Sequence, residues 1–371
     1  MTARARWLLV TGEPSGDRLA AGIVRGARAS GRPWRFEGLP GPASVEAGAE
    51  ATFGALPGAL GTLDVLPHAL RLRALAAELV RASGRFDAAL LVDSHGFTLP
   101  LGRRLRARGL PVVLLSAPQV WAWGAGRARS LGACADAVGC LLPFEPEALR
   151  ALGARCALRF VGHPAAERPL SPERSRTVCV VLPGSRPLEL ERLGPPLLAA
   201  ARSLEALGVV ESARVLVPSE RLGHPSLAGA PVQGTAAGPW EALAMAKVAL
   251  ACSGTVTLEC ALAGVPTVVA YRTDPVTAWL ARRLLKVPHL ALPNILLKRR
   301  LFPELLQDGA TATGLAAEAL ASLAPGLKAA VTEASQTLRA MLALPGGHAG
   351  AVLDLLAEVM NNGQSFGGSR G

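Results

Sequence analysis

Short runs of consecutive apolar residues alternate with longer stretches in which apolar residues return every three or four positions. In the first half of the chain the runs lie at 7–10, 88–92, 112–115, 137–142 and 159–162. In the second half they lie at 178–182, 214–218, 248–252 and 267–271. A run that is polar on neither face predicts a strand covered by helices on both sides. Strand–helix alternation predicts an α/β protein with parallel sheets and right-handed crossovers. The pattern restarts near residue 177, after the charged, twice proline-interrupted stretch A-E-R-P-L-S-P-E-R-S-R at 166–176. Two Rossmann-like domains are therefore expected, 1–165 and 177–345, with 166–176 as linker. A terminal helix at 346–360 is expected to pack back on the first domain, and the polar 361–371 tail to be disordered.

Open parallel sheets bind ligands outside the carboxyl ends of their strands, so the residues after each run carry the functional question. V-T-G-E-P-S-G-D at 10–17 joins a strand to a helix starting near Gly16. Its glycines permit a tight turn, and Ser15 and Asp17 can cap the helix, whose first N–H groups attract anions. L-P-G-S-R at 182–186 offers Gly184 and Ser185 at a helix start and Arg186 as a forked donor suited to phosphate. A-C-S-G-T-V-T-L-E at 251–259 places Ser253, Gly254 and Thr255 in a third such loop. Glu259 follows one turn on, where a carboxylate can accept both hydroxyls of a ribose. Asp93, in V-D-S-H at 92–95, ends a buried strand, a place suited to proton abstraction. Each of these loops also reads as an ordinary capped turn. Trp121 and Trp123 stand beside G-A-G-R-A-R and read either as a sugar or lipid platform or as interdomain core. No Asp-x-Asp and no His/Cys/Asp cluster at metal-ligand spacing occurs, so no metal and no cofactor is expected. Bound phosphate would then be met by Arg and helix N-termini.

The chain has 371 residues, with 39 Lys and Arg against 28 Asp and Glu, a net charge of +11. Only four of the basic residues are Lys. An Arg-rich, Ile-poor usage fits GC-rich codons, and a surface that attracts polyanions or anionic membrane fits it too. No RNA- or DNA-binding motif is present, so nucleic acid is not an expected partner. Six cysteines without a Cys-x-x-Cys spacing suggest buried free thiols in a reducing cytosol. No signal peptide and no spanning helix are expected: the longest uncharged apolar stretch, 110–126, is broken by Pro111 and Pro118. Two basic amphipathic segments, 66–81 and 275–286, read as core helices or as membrane-surface contacts. On the second reading Leu72, Leu75, Arg282, Arg283 and Lys286 would face the membrane.

Taken together, G-E-P-S-G-D (12–17), A-P-Q-V-W-A-W (117–123), L-P-F-E (142–145), V-G-H-P (161–164), L-P-G-S-R-x-x-E (182–189), S-G-T-V-T-L-E (253–259), L-P-N-I-L (292–296) and P-E-L-L-Q (303–307) resemble, in order, the lipid-A-disaccharide synthase family. The resemblance implies a GT-B glycosyltransferase, two Rossmann-like domains facing a central cleft. It implies transfer from UDP-2,3-diacylglucosamine to the 6-hydroxyl of 2,3-diacylglucosamine 1-phosphate, with inversion, giving a β-1,6-linked disaccharide and UDP. It implies Asp93 as general base, with Glu13 and Asp17 beside it. Ser15, Gly16, Trp121 and Trp123 fall on the acceptor side. Arg186 would meet the diphosphate, Glu259 the ribose, and Asn294, Glu304 and Gln307 lie near the donor. It further implies a cytoplasmic enzyme peripheral on the inner membrane, with a homo-oligomer allowed for. Another UDP-sugar enzyme, an undecaprenyl-linked N-acetylglucosaminyltransferase or a 2-epimerase, and a catalytically impaired lipid-binding relative stay open as alternatives. One run departs from the family: D-S-H-G-F-T at 93–98 stands where a D-x-P-D-F-N-like run is usual, with Gly96 in place of a second acid.

Overall fold

The structure, a computed structural model, describes residues 5–54, 65–120, 125–169, 176–235, 238–274 and 288–367. It contains two parallel sheets. The first is built from β1 (Ala5–Thr11), β2 (Trp34–Leu39), β3 (Glu50–Ala51), β4 (Ala88–Val92), β5 (Val112–Leu115), β6 (Ala137–Cys140) and β7 (Ala157–Phe160), in the order β3-β2-β1-β4-β5-β6-β7. The second is built from β8 (Val178–Leu182), β9 (Ser212–Val217), β10 (Val232–Gly234), β11 (Ala246–Cys252), β12 (Thr267–Tyr271) and β13 (Glu304–Leu306), in the order β10-β9-β8-β11-β12-β13. The chain falls into two compact units, Met1–Pro164 with Leu342–Gly371, and Ala165–Met341.

All nine apolar runs become strands. The four strands without such a run lie toward the sheet edges. Three of them, β3, β10 and β13, are only two or three residues long, as is common for edge strands. The fourth, β2, reads W-R-F-E-G-L, and its charges hide it. Glu37 is nevertheless buried there, because Arg6 on β1 donates two hydrogen bonds to it, at 3.1 and 2.7 Å. The same pair holds the Glu37 carboxyl below the usual carboxylate range.

Strand alternation sorts the core of the first unit into two layers. Trp7, Leu9, Leu90, Val92, Val113 and Leu115 face one side, with α1 (Pro14–Ala29). Leu8, Val10, Leu91, Leu114 and Val138 face the other, against α3 (Val65–Arg81) and α4 (His95–Ala107). Between these helices α2 (Pro42–Glu46) follows β2, and α5 (Leu131–Cys134) and α6 (Glu145–Ala151) flank β6. In the second unit α7 (Pro187–Ala206) packs Leu190, Leu193, Leu197 and Leu204 on the sheet. It is followed by α8 (Trp240–Met245), α9 (Thr255–Leu262), α10 (Leu292–Leu297), α11 (Ala312–Ser322) and α12 (Pro325–Leu342).

The last helix, α13 (Gly347–Gly367), buries Val352, Leu353, Leu355, Leu356 and Val359 in the first unit's core. Arg32 and Arg159 pin its outer face through Asp354 and Glu358. The helix runs on through the exposed Asn361 and Asn362 to Gly367, each added residue gaining one hydrogen bond once the helix is docked. One stretch among the described residues, 325–362, is long and apolar enough to cross a membrane. It is broken into two helices at a turn where Gly346 and Gly347 take φ of 82° and 78°, and Val331, Leu338, Leu342, Val352, Leu356 and Val359 along it are buried in the protein.

Candidate active site

In each sheet the strand order reverses once. The chain winds outward from β1 to β2 on one side and from β4 to β7 on the other, so the reversal lies between β1 and β4. In the second sheet it lies between β8 and β11. Crossovers diverge at such a point and leave a crevice at the strands' carboxyl ends. The loops at 12–17 and 93–95 flank the first crevice, and those at 183–186 and 253–255 flank the second.

In the first unit, α1 begins with Pro14 at its first turn, where proline is preorganised. A side chain at Gly12 would overlap Ser94, and a Cβ on Gly16 would stand 3.0 Å from that of Asp93. These two glycines therefore let α1 close on the loop after β4. In that loop Asp93 and Ser94 both adopt left-handed conformations, with φ of 56° and 45°. Such a conformation costs on the order of 1–3 kcal/mol per residue and needs outside support. The Asp93 N–H donates to Leu115 at 3.1 Å, and Thr98 donates its hydroxyl to the Asp93 carbonyl at 2.7 Å. The carboxylate keeps a quarter of its surface open. Ser15 donates to its Oδ2 at 3.4 Å, and His95 Nδ1 lies 3.9 Å from its Oδ1.

Asp17 has different surroundings from those a catalytic acid needs. Its carboxylate is buried and accepts the N–H groups of Ala43 and Ser44, at 2.8 and 3.1 Å, and the Ser44 hydroxyl. It caps α2 and ties α1 to it, and Gly41 has no room for a side chain beside it. Glu13 is half-buried and precedes the first turn of α1, its carbonyl accepting the Asp17 N–H. Trp121 and Trp123 lie outside the described residues.

In the second unit the expected cradle of N–H groups is already filled. Gly184 takes a φ of 115°, and the next two N–H groups, of Ser185 and Arg186, both donate to Glu189 Oε2, at 3.0 and 3.1 Å. Glu189 thus caps its own helix, α7, and an anion arriving here meets the largely exposed Arg186 guanidinium rather than the loop amides. Arg221, not singled out by the sequence, adds a second guanidinium to this loop by donating to the Ser185 carbonyl at 3.2 Å. Its only signal is its place after β9. Beside them, burial first and the Glu189 charge with it push the Tyr271 hydroxyl up. Burial likewise pushes the Cys252 thiol up, so it stays a thiol.

On the far side of that crevice Gly254 and Thr255 are exposed at the start of α9, and Glu259 is half-buried one turn along. Ser253 donates to the Leu290 carbonyl at 3.2 Å. Asn294 is fully buried. Its amide donates to Phe302 and Glu304, and its oxygen accepts the Leu301 and Phe302 N–H groups, all at 2.8–2.9 Å. Glu304 also accepts the N–H groups of Leu290 and Ala291. Both residues therefore shape the 290–304 loop, and Asn294 has no polar atom left to offer a ligand. Gln307, with φ of 53°, accepts the Thr273 N–H at 3.3 Å and closes the turn after β12.

Of the expected membrane residues, Leu75 packs on the core beside Ala76 and Leu79, and Leu72 is half-buried on the same face one turn earlier. Among the described side chains of α3, Leu70 is 56% exposed. Arg282, Arg283 and Lys286 lie outside the described residues.

A family model for lipid-A-disaccharide synthetase matches residues 7–344. The lipid-A-disaccharide synthase of Anaeromyxobacter dehalogenans is 37% identical over 363 residues, covering 91% of this chain and 94% of that protein. Among solved structures, the calicheamicin glycosyltransferase CalG4 superposes with a TM-score of 0.59 at 18% identity, covering 97% of this chain and 99% of its own. Anabaena HepE, solved with UDP and glucose, gives 0.55 at 13% identity, with 96% and 99% covered. At these identities the two structures speak for the fold, which is of the GT-B type.

Proposed function

Because the chain belongs to the lipid-A-disaccharide synthase family, and is thus a glycosyltransferase of lipid A biosynthesis, we propose that it condenses UDP-2,3-diacylglucosamine with 2,3-diacylglucosamine 1-phosphate. The observation that carries this reading is Asp93: a solvent-accessible carboxylate, held in a strained conformation at the first sheet's reversal point, with Ser15 donating to one oxygen. Such a group is placed to take the proton of the acceptor 6-hydroxyl as that oxygen attacks the sugar C1. The departing UDP carries the negative charge that develops. Arg186, with Arg221 bracing the same loop, supplies the positive charge that stabilises it. Glu259 meets the ribose hydroxyls. Glu13 and Ser15 shape the acceptor side, and Asp17, Asn294 and Glu304 act by holding loops rather than by touching substrate.

Both substrates carry acyl chains on charged sugars, so the enzyme works at the cytoplasmic face of the inner membrane. Leu70 and the exposed run Lys298, Arg299 and Arg300 are the described features suited to that surface. Mass spectrometry of the products from the two purified substrates is the direct test. A tetraacyl disaccharide 1-phosphate and UDP are expected in equal amounts, and release of UDP without the disaccharide would refute the acceptor assignment.

A further inference from the structure

The loop carrying Asp93 holds a second ionisable group that the reading above does not use. His95 opens α4 two residues after Asp93, with 23% of its side chain exposed. Its Nε2 lies 2.9 Å from the Ser116 carbonyl oxygen. A carbonyl only accepts, so Nε2 carries a proton, and in the neutral ring the lone pair is on Nδ1. That Nδ1 faces Asp93 Oδ1 at 3.9 Å. The arrangement is held under strain. Asp93, Ser94 and Ser116 are three of the five non-glycine residues with positive φ among the described residues, and they surround the ring. Gly96, beside it, has open space where a side chain would stand, so no second acid competes for the position. Among the described residues, Asp93 lies within ion-pair distance of the ring. Asp17 on α1 is spent on α2, and Glu13 lies before that helix.

We propose that His95 takes the substrate proton onward from Asp93, a positioning residue that acts through that carboxylate. The proposal rests on Asp93 being the base. As the acceptor oxygen bonds to the sugar C1, its O–H bond breaks and the proton goes to Asp93, while the C1–O bond to UDP breaks with its electron pair leaving on UDP. The neutral Asp93 carboxyl then gives its proton to the Nδ1 lone pair. Carboxylate and imidazolium result, and the partly exposed ring returns the proton to solvent. A carboxylic acid is in general a stronger acid than an imidazolium, which gives the direction of this second transfer. The resulting ion pair draws the two groups together. The tether to Ser116 keeps Nε2 from serving as the base itself and aims the other nitrogen at Asp93.

The test compares H95Q, H95N, H95A and D93N with the wild-type enzyme. H95Q keeps an N–H for Ser116 but cannot accept a proton. Its kcat should fall about tenfold, with KM for the UDP-sugar within twofold and an unchanged melting temperature. The acid limb of the wild-type pH–rate profile should change in H95Q. Added imidazole should restore part of the turnover of H95A, which a purely structural role would not allow. If H95Q melts early, H95N carries the same expectation. Wild-type kcat and an unchanged acid limb in H95Q, or no imidazole rescue of a slow H95A, would overturn the proposal. D93N separates the two readings: an inactive D93N with a normal H95Q removes only His95, whereas an active D93N removes the base itself.

Discussion

Asp93 and Glu189 each sit in the loop or first turn beyond a buried strand, yet their surroundings give them opposite work. The Asp93 carboxylate accepts the Ser15 hydroxyl and keeps a quarter of its side chain's surface open to a reacting hydroxyl. Asp93→Asn should therefore lower kcat by roughly a hundredfold or more, the usual scale for a general base, while UDP affinity measured by calorimetry stays the same. Glu189 accepts two N–H groups through Oε2, and the largely exposed guanidinium of Arg186 lies 3.5 Å from its Oε1. Arg186→Ala should weaken UDP binding by about 1.5–3 kcal/mol, the range for a hydrogen bond to a charged group. Calorimetry showing an unchanged Kd would remove Arg186 from the donor site. Asp17 belongs with Glu189. Asp17→Ala leaves two N–H groups of α2 unsatisfied and should cost about 1–3 kcal/mol in urea unfolding, a stability loss that a catalytic role alone would not produce.

At the scale of elements, α3 shows how one helical face divides. Leu75 and Leu79 turn inward and Leu70 outward. Leu75→Ser should lower the melting temperature by several degrees, since burying a hydroxyl in place of an apolar side chain costs a few kcal/mol. Leu70→Ser should leave the melting temperature alone and weaken binding to anionic vesicles. Equal vesicle binding by both proteins would take α3 out of the membrane contact. β2 shows the reverse difficulty. Its charges disguise a strand second from the sheet edge, because a period-based reading counts Glu37 as surface, whereas Arg6, 31 residues away, neutralises it inside. Asn294 and Glu304 sit in runs that the resemblance places near the donor, but only their hydrogen bonds reveal that they hold a loop.

Over the whole molecule, the passage out of the first unit is built around His163. It is buried beside His348, and burial, with that second ring's charge adding to it, lowers its pKa to about 3. Its N–H donates to Leu342, where the chain returns to the same unit. A folded-state pKa below the unfolded one means that the unfolded chain binds the extra proton first. This contribution to stability is complete above about pH 6.5 and is lost progressively as the pH falls toward 3. The melting temperature should thus decline between pH 7 and 5, and His163→Asn should flatten that decline. From its sequence alone the chain already determines the two parallel sheets, nine of their strands and the loops that hold Asp93, Arg186 and Glu259. These features are local: periodicity and strand ends are written in neighbouring residues. The tertiary structure decided what depends on distant partners. It set the strand order that makes a crevice of β1 with β4 and of β8 with β11. It also set which carboxylates are consumed by backbone N–H groups and which stay open. A carboxylate's chemistry follows from what reaches it: Ala43 reaches Asp17 from 26 positions away, Asn294 reaches Glu304 from 10 and Ser15 reaches Asp93 from 78.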